Sequence, residues 1–250
     1  MKYPIRIPGY VATDGYPLEL FPPSSVVVAA ANYLKPVSTV LDMGAYVGTN
    51  GFYLADLGHL VDSVEINQEY IRDGQIIARH LGGLAARNYF INEDIRSYNV
   101  GSYDAAIATN VLQSLSRPEA IRILDNLSTS VRGEGLNIIR AYLGTAEQQA
   151  EVPGITLLEP GELEERYRKA GWTLLHYTED LQPLRQGVNP HSGKPEIKVD
   201  SAVEAIAKSQ GRSQSVKDRT LQYADYLHRS DPELAEHYEA QAAVNPSSDD

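Results

Sequence analysis

Val40-Leu41-Asp42-Met43-Gly44-Ala45-Tyr46-Val47-Gly48-Thr49-Asn50 is an apolar run that carries one acid and then breaks at two glycines. A run this short reads as a strand, and the glycines permit the tight turn that leads into a helix. A second apolar run follows and ends in an acid: Leu60-Val61-Asp62-Ser63-Val64-Glu65. Strand, glycine turn, helix, strand and acid come in the order that cradles a nucleotide-like cofactor in an open α/β sheet.

Working outward, the pattern repeats. Strands are predicted at 38–43, 60–65, 88–92, 103–109, 136–141 and 172–177. Helices are predicted from Ser24 or Ser25 to about 34, then at about 48–57, 68–81, 117–131 and 161–170. Ile71, Ile76, Ile77 and His80 recur at helical spacing, as do Ile121, Leu124, Leu127 and Val131. The predicted fold class is α/β: a doubly wound, Rossmann-like, mainly parallel sheet of about seven strands, the last one antiparallel. The segment 196–208 reads two ways: Ile197, Val199 and Ser201 alternate like a strand, whereas Ala202, Ala205 and Ile206 suit a helix. An antiparallel strand here would complete the sheet.

Three regions follow. Residues 1–23, with Pro4, Pro8, Pro17 and Pro22, read as an irregular arm or lid. Residues 24–208 form the cofactor domain, and 209–250 a helical extension with a disordered end. In the extension, Asp231 before Pro232 is a helix start. Tyr223, Tyr226 and Leu227 offer an apolar stripe, which serves either homo-oligomerisation or packing on the chain's own domain.

The chain has 250 residues, with 22 Lys and Arg against 33 Asp and Glu, for a net charge of -11. That charge argues against a nucleic-acid partner, whose binding rests on cations meeting phosphates. There are no cysteines, which fits the cytoplasm and leaves no thiolate metal site. Met1–Pro8 lacks the apolar core of a signal peptide, and the longest apolar stretch, Val26–Ala31, is too short to span a bilayer. A cytoplasmic protein with no membrane partner and no metal is expected.

The two acids choose the cofactor. Glu65 lies 21 residues after Gly44, where a carboxylate accepts hydrogen bonds from two ribose hydroxyls. A dinucleotide fingerprint is G-x-G-x-x-G, but here the turn is Gly44-x-Tyr46-x-Gly48 with Asp42 just before it. A carboxylate beside the turn is awkward for a pyrophosphate and suits the cationic amino end of S-adenosylmethionine. Asp94, in Glu93-Asp94-Ile95 after the third strand, is placed to accept from an adenine amino group, with Ile95 against the ring. The cofactor-binding candidates are Asp42, Gly44, Ala45, Tyr46, Gly48, Asn50, Glu65, Ile66, Asp94, Ile95, Thr109 and Asn110. Each alone is compatible with plain turn punctuation or a loop cap; their joint spacing favours the cofactor.

These residues resemble the class I S-adenosylmethionine-dependent methyltransferases over roughly residues 24–205. Val40–Gly44 resembles their first motif, Glu65 the ribose acid and Asp94 the adenine acid. Tyr103–Ile107, Val111-Leu112 and Arg132-Gly133-Glu134-Gly135 resemble later motifs. Within that class the chain is similar to the tellurite-resistance methyltransferases of the TehB type. Asn50–Ala55 resembles their Asn-Ser-Leu-Tyr-Leu-Ala, and Val64–Asn67 their acid-x-Asn. The most specific signature joins Gly161-Glu162-Leu163, Gly171-Trp172 and Tyr177-Thr178-Glu179-Asp180.

Departures are equally specific. The usual Gly-Cys-Gly is Gly44-Ala45-Tyr46, a turn that resembles one in catechol-type O-methyltransferases. The family's Arg before Asn50 is Thr49, and its Leu-His-Arg is Leu184-Arg185-Gln186. The acceptor is therefore not carried over from the family.

The resemblance implies methyl transfer to a small-molecule acceptor by in-line displacement. Asn110, Gln113, Arg185 and His191 are candidates near the acceptor, whereas His176, inside a strand, reads as packed. No Asn-Pro-Pro-Tyr run follows the fourth strand, which removes support for methylation of nucleic-acid bases. Tyr10, Tyr16 and Phe21 equip the arm to close over the cofactor. Two alternatives stand beside this reading. One is a catalytically inactive methyltransferase-like module that binds cofactor or a protein partner. The other, a NAD-dependent oxidoreductase, is disfavoured by the turn spacing and Asp42.

Overall fold

The computed structural model describes residues 2–82, 86–189 and 193–211. The chain opens with an antiparallel hairpin, β1 (Ile5–Val11) and β2 (Pro17–Leu20). Then come α1 (Ser25–Ala30), β3 (Thr39–Met43), α2 (Thr49–Asp56), β4 (Leu60–Glu65), α3 (Gln68–Leu81) and β5 (Asn88–Asn92). The second half runs β6 (Tyr103–Thr109), α4 (Arg117–Ser130), β7 (Val131–Tyr142), α5 (Ala146–Glu151), α6 (Glu162–Lys169) and β8 (Thr173–Asp180). It ends with β9 (Arg185–Val188), β10 (Pro195–Lys198) and β11 (Ala202–Lys208).

Seven strands form one sheet in the order β5-β4-β3-β6-β7-β11-β8. The first five are parallel, and β11 runs antiparallel to both β7 and β8. β3 and β4 are buried along their whole length, as inner strands covered on both faces must be. On one face Leu41, Met43, Ala106 and Ile139 pack with Ile123, Leu124 and Leu127 of α4 and Leu163 of α6. On the other, Val40, Ala105, Ile107 and Ile138 meet Val26, Val27 and Ala30 of α1 and Leu54 of α2. The winding reverses between β3 and β6, which opens a crevice beyond their carboxyl ends.

Local signals account for most element ends. α4 starts with a capping box between Ser116 and Glu119 and has a proline in its first turn. Asn67 caps α3 by accepting from the Glu69 amide, and Gly82 follows its last turn.

Three segments differ from the sequence reading. The arm expected to be irregular is an ordered hairpin, in which Ile5 pairs with Leu20 and Arg6 with Glu19. Its Ile7, Leu18 and Leu20 are buried against Val47, Phe52, Ile77 and Ala78. Pro4 and Pro8 obscured this alternation, yet proline is tolerated in a two-stranded ribbon whose strands are both edges. The ambiguous segment divides: Ile197 belongs to β10, which pairs only with β9, while Ala202, Ala205 and Ile206 lie in β11. In β11, Val203, Ala205 and Ala207 face one core cluster and Ile206 the other, so small residues on both faces imitate helical spacing. The short helix α5, with its Thr145–Gln148 capping box, had no sequence counterpart.

The helical extension and its Tyr223, Tyr226 and Leu227 stripe lie outside the described residues. Among the described residues no helix is long and apolar enough to cross a membrane.

Candidate cofactor crevice

The turn after β3 is anchored to β4. The amides of Gly44 and Ala45 both donate to the Val64 carbonyl, at 2.9 and 3.1 Å. Gly44 has φ +71°, and a Cβ there would stand 2.3 Å from Val111 Cγ2. Only glycine fits both the dihedral and the space. Gly48 (φ +84°) precedes α2, and a Cβ there would stand 2.6 Å from Phe90 Cζ. Between them Tyr46 also has a left-handed backbone, φ +54°, which costs a bulky residue about 1–2 kcal/mol. Two contacts hold it. Its amide donates to Glu65 Oε2 at 2.9 Å, and its ring meets Tyr70 edge-on at 4.4 Å.

Glu65 is thereby fixed from two sides, since its Oε1 accepts from the Asn67 amide at 2.9 Å. A carboxylate has about four lone-pair sites, so acceptor capacity remains on both oxygens. Asn92 Nδ2 donates to the carbonyls of Glu65 and Ile66 at 3.0 and 2.9 Å, holding the end of β4. Ile66, next in the chain, is 58% exposed.

Asp42 is only 1% exposed, and its Oδ2 has no hydrogen-bond partner. Burial, then the charge of Glu65, push its pKa from an ordinary 3.8 up to about 7, against a smaller opposing effect of the Asn50 amide. A buried carboxylate normally has a compensating partner. Among the described residues no cation is paired with this one.

Asn50 joins three elements. Its Oδ1 accepts from the Ser24 amide at 3.0 Å before α1, and its Nδ2 donates to Thr109 Oγ1 at 2.9 Å at the end of β6. Asn110 has φ +53°, a conformation asparagine tolerates, and its amide donates to the Arg140 carbonyl at 2.9 Å. Gln113 Nε2 donates to the Asn110 carbonyl at 2.6 Å, while its buried Oε1 is unpartnered.

Some of these residues border a cleft of about 510 Å³, whereas Asp42, Gly48, Glu65, Ile66 and Gln113 are not among the residues lining it. Six residues singled out from the sequence line it: Gly44, Ala45, Tyr46, Asn50, Thr109 and Asn110. Pro22, Ser24, Ser25, Thr49 and Arg140 line it too and were missed. A signal for Arg140 existed, because a lone charge inside the apolar run Leu136–Ala141 is unusual for an inner strand.

Other candidates lie elsewhere. Asp94 accepts from Arg96 through its backbone amide (2.9 Å) and its guanidinium (Nε–Oδ2 2.8 Å), and these bonds hold its pKa down. Ile95 is buried in the core cluster under α4. Arg185 is on β9, paired with Asp200, and is not among the cleft-lining residues. His176 Nε2 is 3.9 Å from Glu204 Oε2. His191 lies outside the described residues. No group of three or more His, Asp or Glu side chains among the described residues is placed to hold a metal.

The strand order, the glycine turn at the switch point and the acid ending β4 define a class, the Rossmann-like α/β fold shared with solved methyltransferase structures. One is TehB from Haemophilus influenzae, with TM-score 0.62 and 24% identity, covering 75% of this chain and 62% of that one. Another is magnesium protoporphyrin IX methyltransferase from Synechocystis PCC 6803 with bound SAH, with TM-score 0.56 and 16% identity, covering 74% of this chain and 79% of that one. At these identities the likeness establishes the fold alone.

The family is narrower. The family model described as tellurite resistance protein TehB matches residues 13–195, and the chain belongs to that family. A curated relative from Haemophilus influenzae, a probable S-adenosyl-L-methionine-dependent methyltransferase TehB, is 28% identical over 162 residues. The match covers 64% of this chain and 54% of the relative, so the chain spans about half the length of the curated relatives it matches.

Proposed function

We propose that this chain is an S-adenosylmethionine-dependent methyltransferase acting on a small-molecule acceptor. The observation that carries the reading is the pair of acids at the crevice. Glu65 is locked by the Tyr46 and Asn67 amides, and Asp42 is buried with an oxygen that lacks a partner. An adenosyl amino acid matches both, with ribose hydroxyls for Glu65 and a cationic amino end for Asp42. A dinucleotide would share the ribose match to Glu65 but not the second, because it brings no ammonium to Asp42 and its pyrophosphate would meet a buried acid.

When bound, S-adenosylmethionine supplies a methyl group on a positively charged sulfur, open to in-line displacement by the acceptor. The chain's own residues bind, orient and exclude water. The backbone at Gly44 lines the cleft that the ligand would enter. Ile66 offers an apolar surface beside Glu65, and Asp94 is proposed for the adenine end, without the Ile95 side chain, which is buried in the core. Asn50 and Thr109 hold the floor, while Asn110 and Gln113 stand on the acceptor side. Holding two reactants in line lowers the barrier by several kcal/mol without a covalent nucleophile. The hairpin covers the turn from outside: Tyr16 and Phe21 line, with Tyr46, a second cavity of about 330 Å³.

Calorimetric titration of S-adenosylmethionine, with NAD as control, into wild type and Glu65→Ala tests the reading. The expected result is micromolar binding of S-adenosylmethionine alone, weakened at least tenfold in the variant, a loss of about 1.4 kcal/mol or more. NAD binding, or no binding of either, would reject it.

A further inference from the structure

We propose that Arg140 is a carboxylate-binding residue of the cleft, held in place by Glu204 and Ser25. The proposal rests on the methyltransferase reading for the two carboxylates in reach. These are the amino-acid end of the cofactor and a carboxylate on the acceptor.

Arg140 continues the β7 face whose Leu136 and Ile138 are buried beneath α1. At the carboxyl end of the strand the face emerges from the core, and the Arg140 side chain is 32% exposed. Register fixes its neighbours. It stands opposite Thr109 on β6 and opposite Glu204 on β11. Glu204, 15% exposed, accepts from Arg140 Nη1 and from Ser25 Oγ at 3.0 Å.

One guanidinium nitrogen is therefore committed to Glu204. A guanidinium carries five donors in a rigid plane, and those not bound to Glu204 remain for a ligand. Among the described residues lining the cleft, no other side chain is charged; serines, threonines, asparagines and Tyr46 make up the polar remainder. A fixed planar cation in a neutral polar wall suits a carboxylate, which it meets with paired N–H···O bonds. Asp42 and Arg140 lie on the same sheet face, on β3 and β7, with β6 between them. The face thus offers an acid for an ammonium and a cation for a carboxylate.

The test uses the full chain as wild type, Arg140→Met, Arg140→Lys and Glu204→Gln, with melting curves to confirm folding. S-adenosylhomocysteine is titrated alongside 5′-methylthioadenosine, which keeps the nucleoside and thioether but lacks the amino-acid end. Protein saturated with S-adenosylhomocysteine is then titrated with benzoate, phenylacetate and quinaldate, each against its amide.

If the cofactor supplies the carboxylate, Arg140→Met weakens S-adenosylhomocysteine by about tenfold or more and leaves 5′-methylthioadenosine within about twofold. If the acceptor supplies it, S-adenosylhomocysteine is unchanged, and the wild-type preference for carboxylates over amides, about tenfold, vanishes in Arg140→Met. In either case Arg140→Lys restores part of the loss. Glu204→Gln gives an intermediate value in the same assay, as a positioning residue should.

Equal binding of every ligand by wild type, Arg140→Met and Arg140→Lys would overturn the assignment and leave the methyltransferase reading standing. Wild-type protein that binds neither S-adenosylhomocysteine nor 5′-methylthioadenosine would overturn both. Should Arg140→Met fail to fold, Arg140→Gln carries the same comparison.

Discussion

Asp42 is the residue on which the chemistry of the crevice turns. Burial and the neighbouring Glu65 raise its pKa to about 7, so near pH 6 it is mostly protonated in the free protein. A cationic ligand favours the charged form and expels that proton. S-adenosylmethionine affinity is therefore expected to rise from about pH 5 to about pH 7 and level off above, by up to about tenfold per unit. Titration in buffers of different ionisation heat should detect the released proton, and Asp42→Asn should bind weakly with a flat profile. A flat wild-type profile would contradict this account. Gly44 carries a second prediction. Gly44→Ala adds a left-handed backbone cost of about 1–2 kcal/mol and an overpacking cost of about 1–3 kcal/mol against Val111. Denaturant unfolding should show both, and adding Val111→Ala should recover only part of the second, because the Cβ of residue 111 would still stand 2.7 Å from the new methyl group.

At the scale of elements the amino-terminal hairpin matters most. Ile7, Leu18 and Leu20 bury themselves in one cluster with Val47, which belongs to the cofactor turn, and with Phe52 of α2. Thr13, between the strands, donates its amide to the buried carboxylate of Asp73 on α3 at 2.8 Å. Leu20→Ala should cost about 2–5 kcal/mol, the range for emptying a buried leucine site. Thermal melts read that cost, and an unchanged melting temperature would place Leu20 outside the core. Deleting residues 2–20 should lower both the melting temperature and the cofactor affinity, because the turn loses its packing partner. The helices here were largely legible, because their signals are local: α3 has Asn67 before it and Gly82 after it, and α4 has Ser116, Pro118 and Glu119. The hairpin was not, because its partners lie about thirty to seventy residues away and its prolines hide the alternation.

For the whole molecule the same acid sets a stability profile. Folding raises the Asp42 pKa from 3.8 to about 7, so between those values the native state binds more protons than the unfolded one. Its stabilising contribution is complete below about pH 4 and is lost as pH rises through about 7. Integrated at 1.36 kcal/mol per unit, the loss is about 4 kcal/mol. Urea unfolding of the ligand-free protein should therefore give lower stability at pH 8 than at pH 5 on this account. Asp42→Asn should remove most of the difference, and saturating S-adenosylmethionine should shrink it by binding the ionised form. Equal slopes for wild type and Asp42→Asn would assign the pH dependence to other groups.

The alternation of strands and helices from β3 to β7, the glycine turn and the positions of the two acids were determined by the sequence alone. Those features depend on periodicity and on dihedral angles that neighbouring residues set for themselves. Tertiary structure decided what lies side by side across the sheet. Arg140 meets Glu204, 64 positions later, only because β11 turns back antiparallel between β7 and β8. Arg185 was singled out at a strand end, but strand pairing moved it to a separate hairpin and a bond with Asp200. Asp42 was read as an acid beside a turn; only packing on both faces of β3 made it buried, short of a partner and half-neutral near pH 7. Such properties belong to the distances between segments, and no local run of residues encodes them.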